Sequence, residues 1–346
     1  MGHSVDKGHQ YRALDALRGV AALLVVAYHT ELLFGVLTPK SAYLAVDLFF
    51  CLSGFVIAHA YGARLGTGMS FSAFAKIRTI RLYPLYLLGL GAAALLEAVR
   101  ILFGLTGPKP GLLEAGGMNL LGLPSVTTET MYPLNGPSWS LLYEMIANLI
   151  AALIWPWLGR RALIGLCVLN GLLLALVSFV YSGVEDVGQE YVTFLAGLPR
   201  VFFPFFMGVL IYQLRLKVPR ISLWVLIPAF IVMAYVQAGQ MRWLYDAVAT
   251  LVVVPLFVIL GSQRLASNRP LDTAGRLSYA VYMLHVPAWH YFQAALKPLG
   301  LTPQPGLLTI AYVVILLAGC WLVDRLIDVP VRNWLRSRLI SRPAPA

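Results

Sequence analysis

Arg18 and His29 stand eleven residues apart in the apolar stretch YRALDALRGVAALLVVAYHT, residues 11–30. At about 100° per residue that is close to three helical turns, so both side chains fall on one face, roughly 16 Å apart along the axis. A guanidinium can hold a phosphate or carboxylate, and an imidazole can take and return a proton. Taken alone, His29 reads equally well as a core histidine bonded to a neighbouring helix. Asp15 lies three residues before Arg18 and can pair with it on the same face. Arg78 and Arg81, in FAKIRTIRLYPLYLL, are also three residues apart. They form either a multi-donor clamp for phosphate or a pair of membrane-edge anchors.

Four further groups could take part in chemistry. Glu144, in NGPSWSLLYEMIANLI, is a carboxylate expected near the outer end of its helix, where Ser138 or Ser140 could cap. It is expected at the depth of His29, where it could orient the imidazole, and its bland alternative is a snorkelling or paired acid. Ser278, Tyr282 and His285, in GRLSYAVYMLHVP, follow at i, i+4 and i+7 and give one polar stripe on an apolar helix, with Tyr279 one residue off it. Arg200 has no acidic neighbour in its own segment, so it needs a distant partner or a water-filled cavity. In AVDLFFCLSGFVI, Asp47 is a cap or a salt-bridge partner, and Ser53-Gly54 reads first as close helix packing rather than as a nucleophile site.

The elements that position these residues follow from composition. The chain of 346 residues is 59% hydrophobic and 12% charged, about half the charge of a soluble domain. Apolar runs of membrane-spanning length recur, and ten spans are expected, near 13–35, 42–61, 80–103, 138–158, 162–181, 192–214, 221–238, 243–261, 277–296 and 306–327. Asp47 with Ser53-Gly54, and His285 with His290, interrupt the second and ninth, so either could be re-entrant. The fold class expected is an all-α polytopic bundle forming a single domain over residues 1–346.

Nineteen loop lysines and arginines fall on one side, against Lys40, Lys109, Arg242 and Lys297 on the other. That asymmetry predicts both termini in the cytoplasm. It also accounts for the net charge of +11 without nucleic acid, which would need a basic face on a soluble domain. No cleavable leader is expected. Cys51, Cys167 and Cys320 lie far apart in apolar runs and suggest neither a disulfide framework nor a metal site. The longest outer connection, about 104–137, is rich in Gly and Pro and long enough to cover a site.

Six segments in order, LDALRGVAALLVVAYH, AVDLFFCLSGFVI, FAKIRTIRLYPLY, PSWSLLYE, GRLSYAVYMLHVP and DVPVRNW, resemble the acyltransferase-3 family of integral membrane proteins. The resemblance covers residues 14 to 334. It implies transfer of an acyl group, usually acetyl, from cytoplasmic acyl-CoA to a hydroxyl of a sugar, glycan or antibiotic. It places the family's R-x10-H element on Arg18 and His29 and its R-x-x-R element on Arg78 and Arg81. The element resembling W-S-x-x-x-E falls on Trp139 to Glu144. The esterase-like extracytoplasmic domain fused to some relatives is not expected here.

On this reading His29 and Glu144 are the catalytic candidates, and Arg18, Arg78 and Arg81 bind the acyl-CoA donor. Ser278, Tyr282, His285 and Arg200 are secondary, and no metal is expected. The expected setting is the bacterial inner membrane. His29 acting as general base is the leading mechanism, with a covalent acyl-histidine or an acyl-tyrosine on Tyr282 or Tyr279 as the alternative. A transporter or flippase is the competing class, since midplane charges serve transport equally well.

Overall fold

The computed structural model describes residues 11–107, 109–216, 219–263 and 269–340. Of the basic loop residues, Lys7, Lys217, Arg264 and Arg342 lie outside the described residues. The architecture is helical throughout: α1 (Arg12–His29), α2 (Glu31–Phe34), α3 (Ala45–Gly66), α4 (Phe71–Leu102), α5 (Leu112–Leu120), α6 (Ser138–Ile154) and α7 (Arg160–Val180) form the first half. The second half is α8 (Phe194–Leu214), α9 (Leu223–Tyr235), α10 (Arg242–Val248), α11 (Val254–Gly261), α12 (Arg269–Leu296), α13 (Leu307–Val323) and α14 (Val329–Leu339). Among the described residues the sole β pairing is an isolated bridge between Thr130 and Glu190.

Every segment expected to span coincides with helix, but the lengths differ. Among the described residues, seven helical stretches are long and apolar enough to cross a membrane, or eight if α1 and α2 count as one bent span. Helix α9 has 13 residues, short of the roughly 20 that cross hydrocarbon. Helix α12 has 28 residues, but its polar stripe lowers its hydropathy.

The two segments that could have been re-entrant are not broken. The second and ninth segments are continuous helices, α3 and α12, because their polar side chains find partners in neighbouring helices. The break falls instead in the first segment, where α1 and α2 meet at 94°. Thr30 leaves the helical region there (φ −121°, ψ 43°), and its hydroxyl donates to the Val26 carbonyl at 2.7 Å. His29 is therefore the last residue of α1, at a bend.

Small residues bring the helices that carry the polar groups close together. A Cβ on Gly54 would lie 1.9 Å from the Phe205 carbonyl oxygen, and one on Gly208 would lie 1.9 Å from that of Cys51. The two glycines thus seat α3 and α8 backbone to backbone, the packing role expected of Ser53-Gly54. Helix α12 packs as closely on α1, where a Cβ on Gly275 would lie 2.4 Å from the Asp15 carboxylate. Inside α12, Pro287 has no N–H for the Met283 carbonyl. Asn135 supplies the missing donor at 3.0 Å. The three cysteines are free and buried.

Candidate functional site

Three cavities run in sequence through the bundle, and neighbours share walls. The first, about 160 Å³, lies toward the end of the bundle where α4 and α12 begin. Arg18, Arg78, Arg81, Glu144, Ser278 and Tyr282 line it. The second, about 220 Å³, is lined by Tyr28, His29, Gln189, Arg200 and Tyr282 among others. The third, about 590 Å³ and more open, lies beyond Tyr28, Tyr43 and Glu185 and includes Lys40, Gln237 and Arg242. Val46 and Tyr282 belong to the first and second cavities, and Tyr28, Tyr43 and Glu185 to the second and third.

The first cavity gathers the three arginines that the sequence spaced apart. Arg78 is buried and donates from Nη2 to Glu144 Oε1 at 2.8 Å, while its own Nε has no partner. Ser53 donates to the same Glu144 oxygen, also at 2.8 Å. Arg18 sits 3.9 Å from Asp15, a loose pairing. Arg81 stacks over the Tyr279 ring at 5.8 Å and makes no ion pair among the described residues. One carboxylate faces three guanidiniums, so the lining carries an excess of positive charge. Arg18, loosely paired, and Arg81, without an ion pair among the described residues, suit an anionic ligand such as a phosphate.

This geometry overturns one expectation. Glu144 does not orient His29: its carboxylate is engaged by Arg78 and Ser53 and lines the first cavity, whereas His29 lines the second. Helix α6 carries Glu144 nearly two turns in from Ser138, toward the arginines of α4. Neither serine caps α6; Ser140 donates to the Pro137 carbonyl at 2.9 Å and meets the Tyr282 hydroxyl at 2.8 Å.

His29 finds a histidine instead. His29 Nδ1 lies 3.0 Å from the Val25 carbonyl oxygen and 3.3 Å from His285 Nε2. His29 is exposed as a residue and is among those that line the second cavity. His285 is fully buried. Thus the polar stripe of α12 divides its duties: Ser278 and Tyr282 face the first cavity, Tyr282 also faces the second, and His285 backs His29.

Arg200 finds the distant partner its position demanded. Its Nε and Nη2 reach the two Asp47 oxygens at 3.3 and 3.4 Å, with both side chains fully buried. Its Nη1 donates to the carbonyls of Val187 at 2.8 Å and Glu185 at 3.3 Å, and the guanidinium lies over Trp139 at 5.1 Å. The loop around residues 182–193 is thereby pinned over the second cavity.

A network not anticipated from the sequence closes the boundary toward the third cavity. The Tyr28 hydroxyl donates to Glu185, which also pairs with Arg242. Tyr43 donates to Asp246 at 2.6 Å, and Arg242 stacks over the Tyr43 ring at 5.3 Å. The available signal was scarcity. With 15 acidic residues in the chain, Glu185 and Asp246 beside apolar runs each needed a partner. The long connection near 104–137 covers this end together with the 182–193 loop: Met131 N–H donates to the Gln189 carbonyl at 3.1 Å.

Residues 11–325 match the acyltransferase-3 family, described as an acyltransferase domain. A relative, "Protein 2 in picA locus" from Rhizobium radiobacter, is 44% identical over 165 residues, covering 43% of this chain and 82% of that protein. No solved structure matches. With the family match spanning nearly all of a bundle of membrane-length helices, the chain belongs to the acyltransferase-3 family of membrane acyltransferases.

Proposed function

We propose that this protein is a membrane O-acyltransferase that moves an acyl group, most simply acetyl, from acyl-CoA to a hydroxyl of a glycan or related acceptor. The observation that carries the reading is the row of cavities, with an arginine-rich one at one end, a polar one at the other and His29 between. In this reading the arginine-rich end faces the cytoplasm of a bacterial inner membrane, both termini lie there, and the ten helical segments all cross or enter the bilayer.

Arg18, Arg78 and Arg81 fit the anionic part of the donor, since one carboxylate lines their cavity against three guanidiniums. The bound donor supplies an activated thioester. A cavity of about 160 Å³ takes only a portion of so large a molecule, so the arginines meet it at the mouth and its slender arm points toward Tyr282. His29 removes the proton from the acceptor hydroxyl as the acceptor oxygen bonds to the acyl carbon. The thioester C–S bond breaks, and His29 returns the proton to the departing sulfur. A base in this role contributes about 10²–10⁴-fold.

The same row of cavities would serve a transporter. The discriminating experiment uses protein in detergent, where no compartments exist to transport between. Labelled acetyl-CoA is mixed with cell-envelope glycans, and the glycan fraction is read by mass spectrometry for added acetyl groups. Acetylation that depends on the protein supports the acyltransferase; its absence, with acetyl-CoA left intact, favours transport.

A further inference from the structure

We infer that His285 is the positioning residue that sets the tautomer of His29, so that the base is His29 Nε2. The inference rests on the acyl-transfer reading for its purpose and on geometry for its content. His285 Nδ1 faces two carbonyl oxygens of its own helix, Tyr282 at 2.7 Å and Val281 at 3.2 Å. Carbonyl oxygens only accept, so these contacts place a proton on His285 Nδ1. A neutral imidazole carries one proton, which leaves His285 Nε2 as a lone pair.

That lone pair lies 3.3 Å from His29 Nδ1, which also lies 3.0 Å from the Val25 carbonyl. Both neighbours of His29 Nδ1 are therefore acceptors, and the His29 proton belongs on Nδ1, shared between them. His29 Nε2 is left unprotonated. When Nε2 takes the acceptor proton, His29 becomes an imidazolium whose Nδ1–H still points at the His285 lone pair. His285 thus does for His29 what a carboxylate does for the histidine of a Ser-His-Asp triad, but without placing a negative charge in the bundle.

The surroundings hold His285 rigidly in this role. Its backbone carbonyl accepts from Tyr312 of α13 at 2.8 Å. One residue before Leu284, the Met283 carbonyl freed by Pro287 is held by Asn135. Gly89 lets α4 close over that junction, where a Cβ would lie 2.8 Å from the Met283 oxygen. His285 itself lines neither cavity, so substrate contact does not explain an imidazole at this position.

The test reads the tautomer directly. The chain has six histidines, so protein labelled with 15N in its imidazole rings gives few signals, and His29 is assigned by its loss in His29→Gln. The wild type should show His29 protonated at Nδ1. In His285→Leu the tautomers should mix, and kcat for acyl transfer from acetyl-CoA should fall by about ten- to a hundredfold with KM for acetyl-CoA unchanged. In His285→Gln an amide oxygen can reach the place of the Nε2 lone pair, and both the tautomer and kcat should recover in part. A wild-type His29 protonated at Nε2 overturns the inference, and needs no variant to be seen. So does a His285→Leu protein that keeps both tautomer and kcat. If the tautomer results hold but His29→Gln retains transfer, the positioning stands and the assignment of His29 as base falls.

Discussion

The arginine cavity and the histidine cavity share Tyr282 as a wall but handle charge in opposite ways. In the first, Glu144 matches Arg78 and Asp15 loosely pairs with Arg18, while Arg81 has no ion pair among the described residues, so positive charge is left over. In the second, the charged groups are already matched: Arg200 with Asp47, and Glu185 with Arg242. What remains open there is an imidazole backed by another imidazole. On the proposed function, the unbalanced lining suits the anionic donor, whereas the balanced one leaves His29 free for proton transfer. The two requirements conflict in a single pocket, because a cluster of cations beside the base would oppose its protonation. Separating them along the bundle resolves the conflict.

Breaking the charge balance of the second cavity should have the largest effect. Asp47→Ala leaves Arg200 buried without its anion and should cost about 3–5 kcal/mol of stability. Thermal unfolding in detergent, compared with a double Asp47→Ala, Arg200→Met variant that recovers part of the loss, measures it. Weakening the first cavity should act on donor binding, with some loss of stability because Glu144 is left with Ser53 as its partner. Arg78→Ala removes a charge-assisted donor worth about 1.5–3 kcal/mol, which is roughly a ten- to a hundredfold rise in KM for acyl-CoA. That rise should shrink in high salt, where the wild type also binds the donor less well.

A smaller effect is expected at the boundary with the third cavity. Tyr28→Phe removes one hydrogen bond, about 1 kcal/mol, and loosens the closure made with Glu185. The KM for the acceptor should fall by up to about fivefold with donor KM unchanged; a fall in donor KM instead would place the acceptor on the wrong side.

The smallest effect lies outside both cavities. Thr127 and Ser125 donate to Glu114 in the covering connection and hold its carboxyl below the usual carboxylate range. A depressed carboxyl contributes stability above its unfolded pKa and loses it as pH falls through the folded one. The difference in melting temperature between wild type and Thr127→Val should therefore be present at neutral pH and vanish in acid.

The sequence made much of this legible because hydrocarbon penalises every ionisable group. Arg18, Arg78 and Arg81 could be grouped in advance, since periodicity and charge asymmetry place all three at one end. Arg200 could be marked as needing a partner, although Asp47 could not be named, because the pairing crosses from α8 to α3. Glu144 was misplaced for a related reason. Its distance from the start of α6 is readable, but which neighbour that depth faces depends on how α4 and α6 are packed. The His29–His285 contact was beyond reach because the two residues are 256 positions apart and meet only through the close seating of α1 on α12. The bend at Thr30 was hidden because Thr is tolerated in apolar runs and nothing local marks a 94° turn.

The division of labour between the two cavities is tested most directly by steady-state kinetics with acetyl-CoA as the varied substrate, comparing Arg81→Ala and His29→Ala. Arg81→Ala should raise KM by about tenfold and leave kcat near the wild-type value. His29→Ala should lower kcat by about 10²–10⁴-fold and leave KM near the wild-type value. If both variants move the same parameter, or if His29→Ala turns over as the wild type does, the two cavities do not divide donor binding from proton transfer.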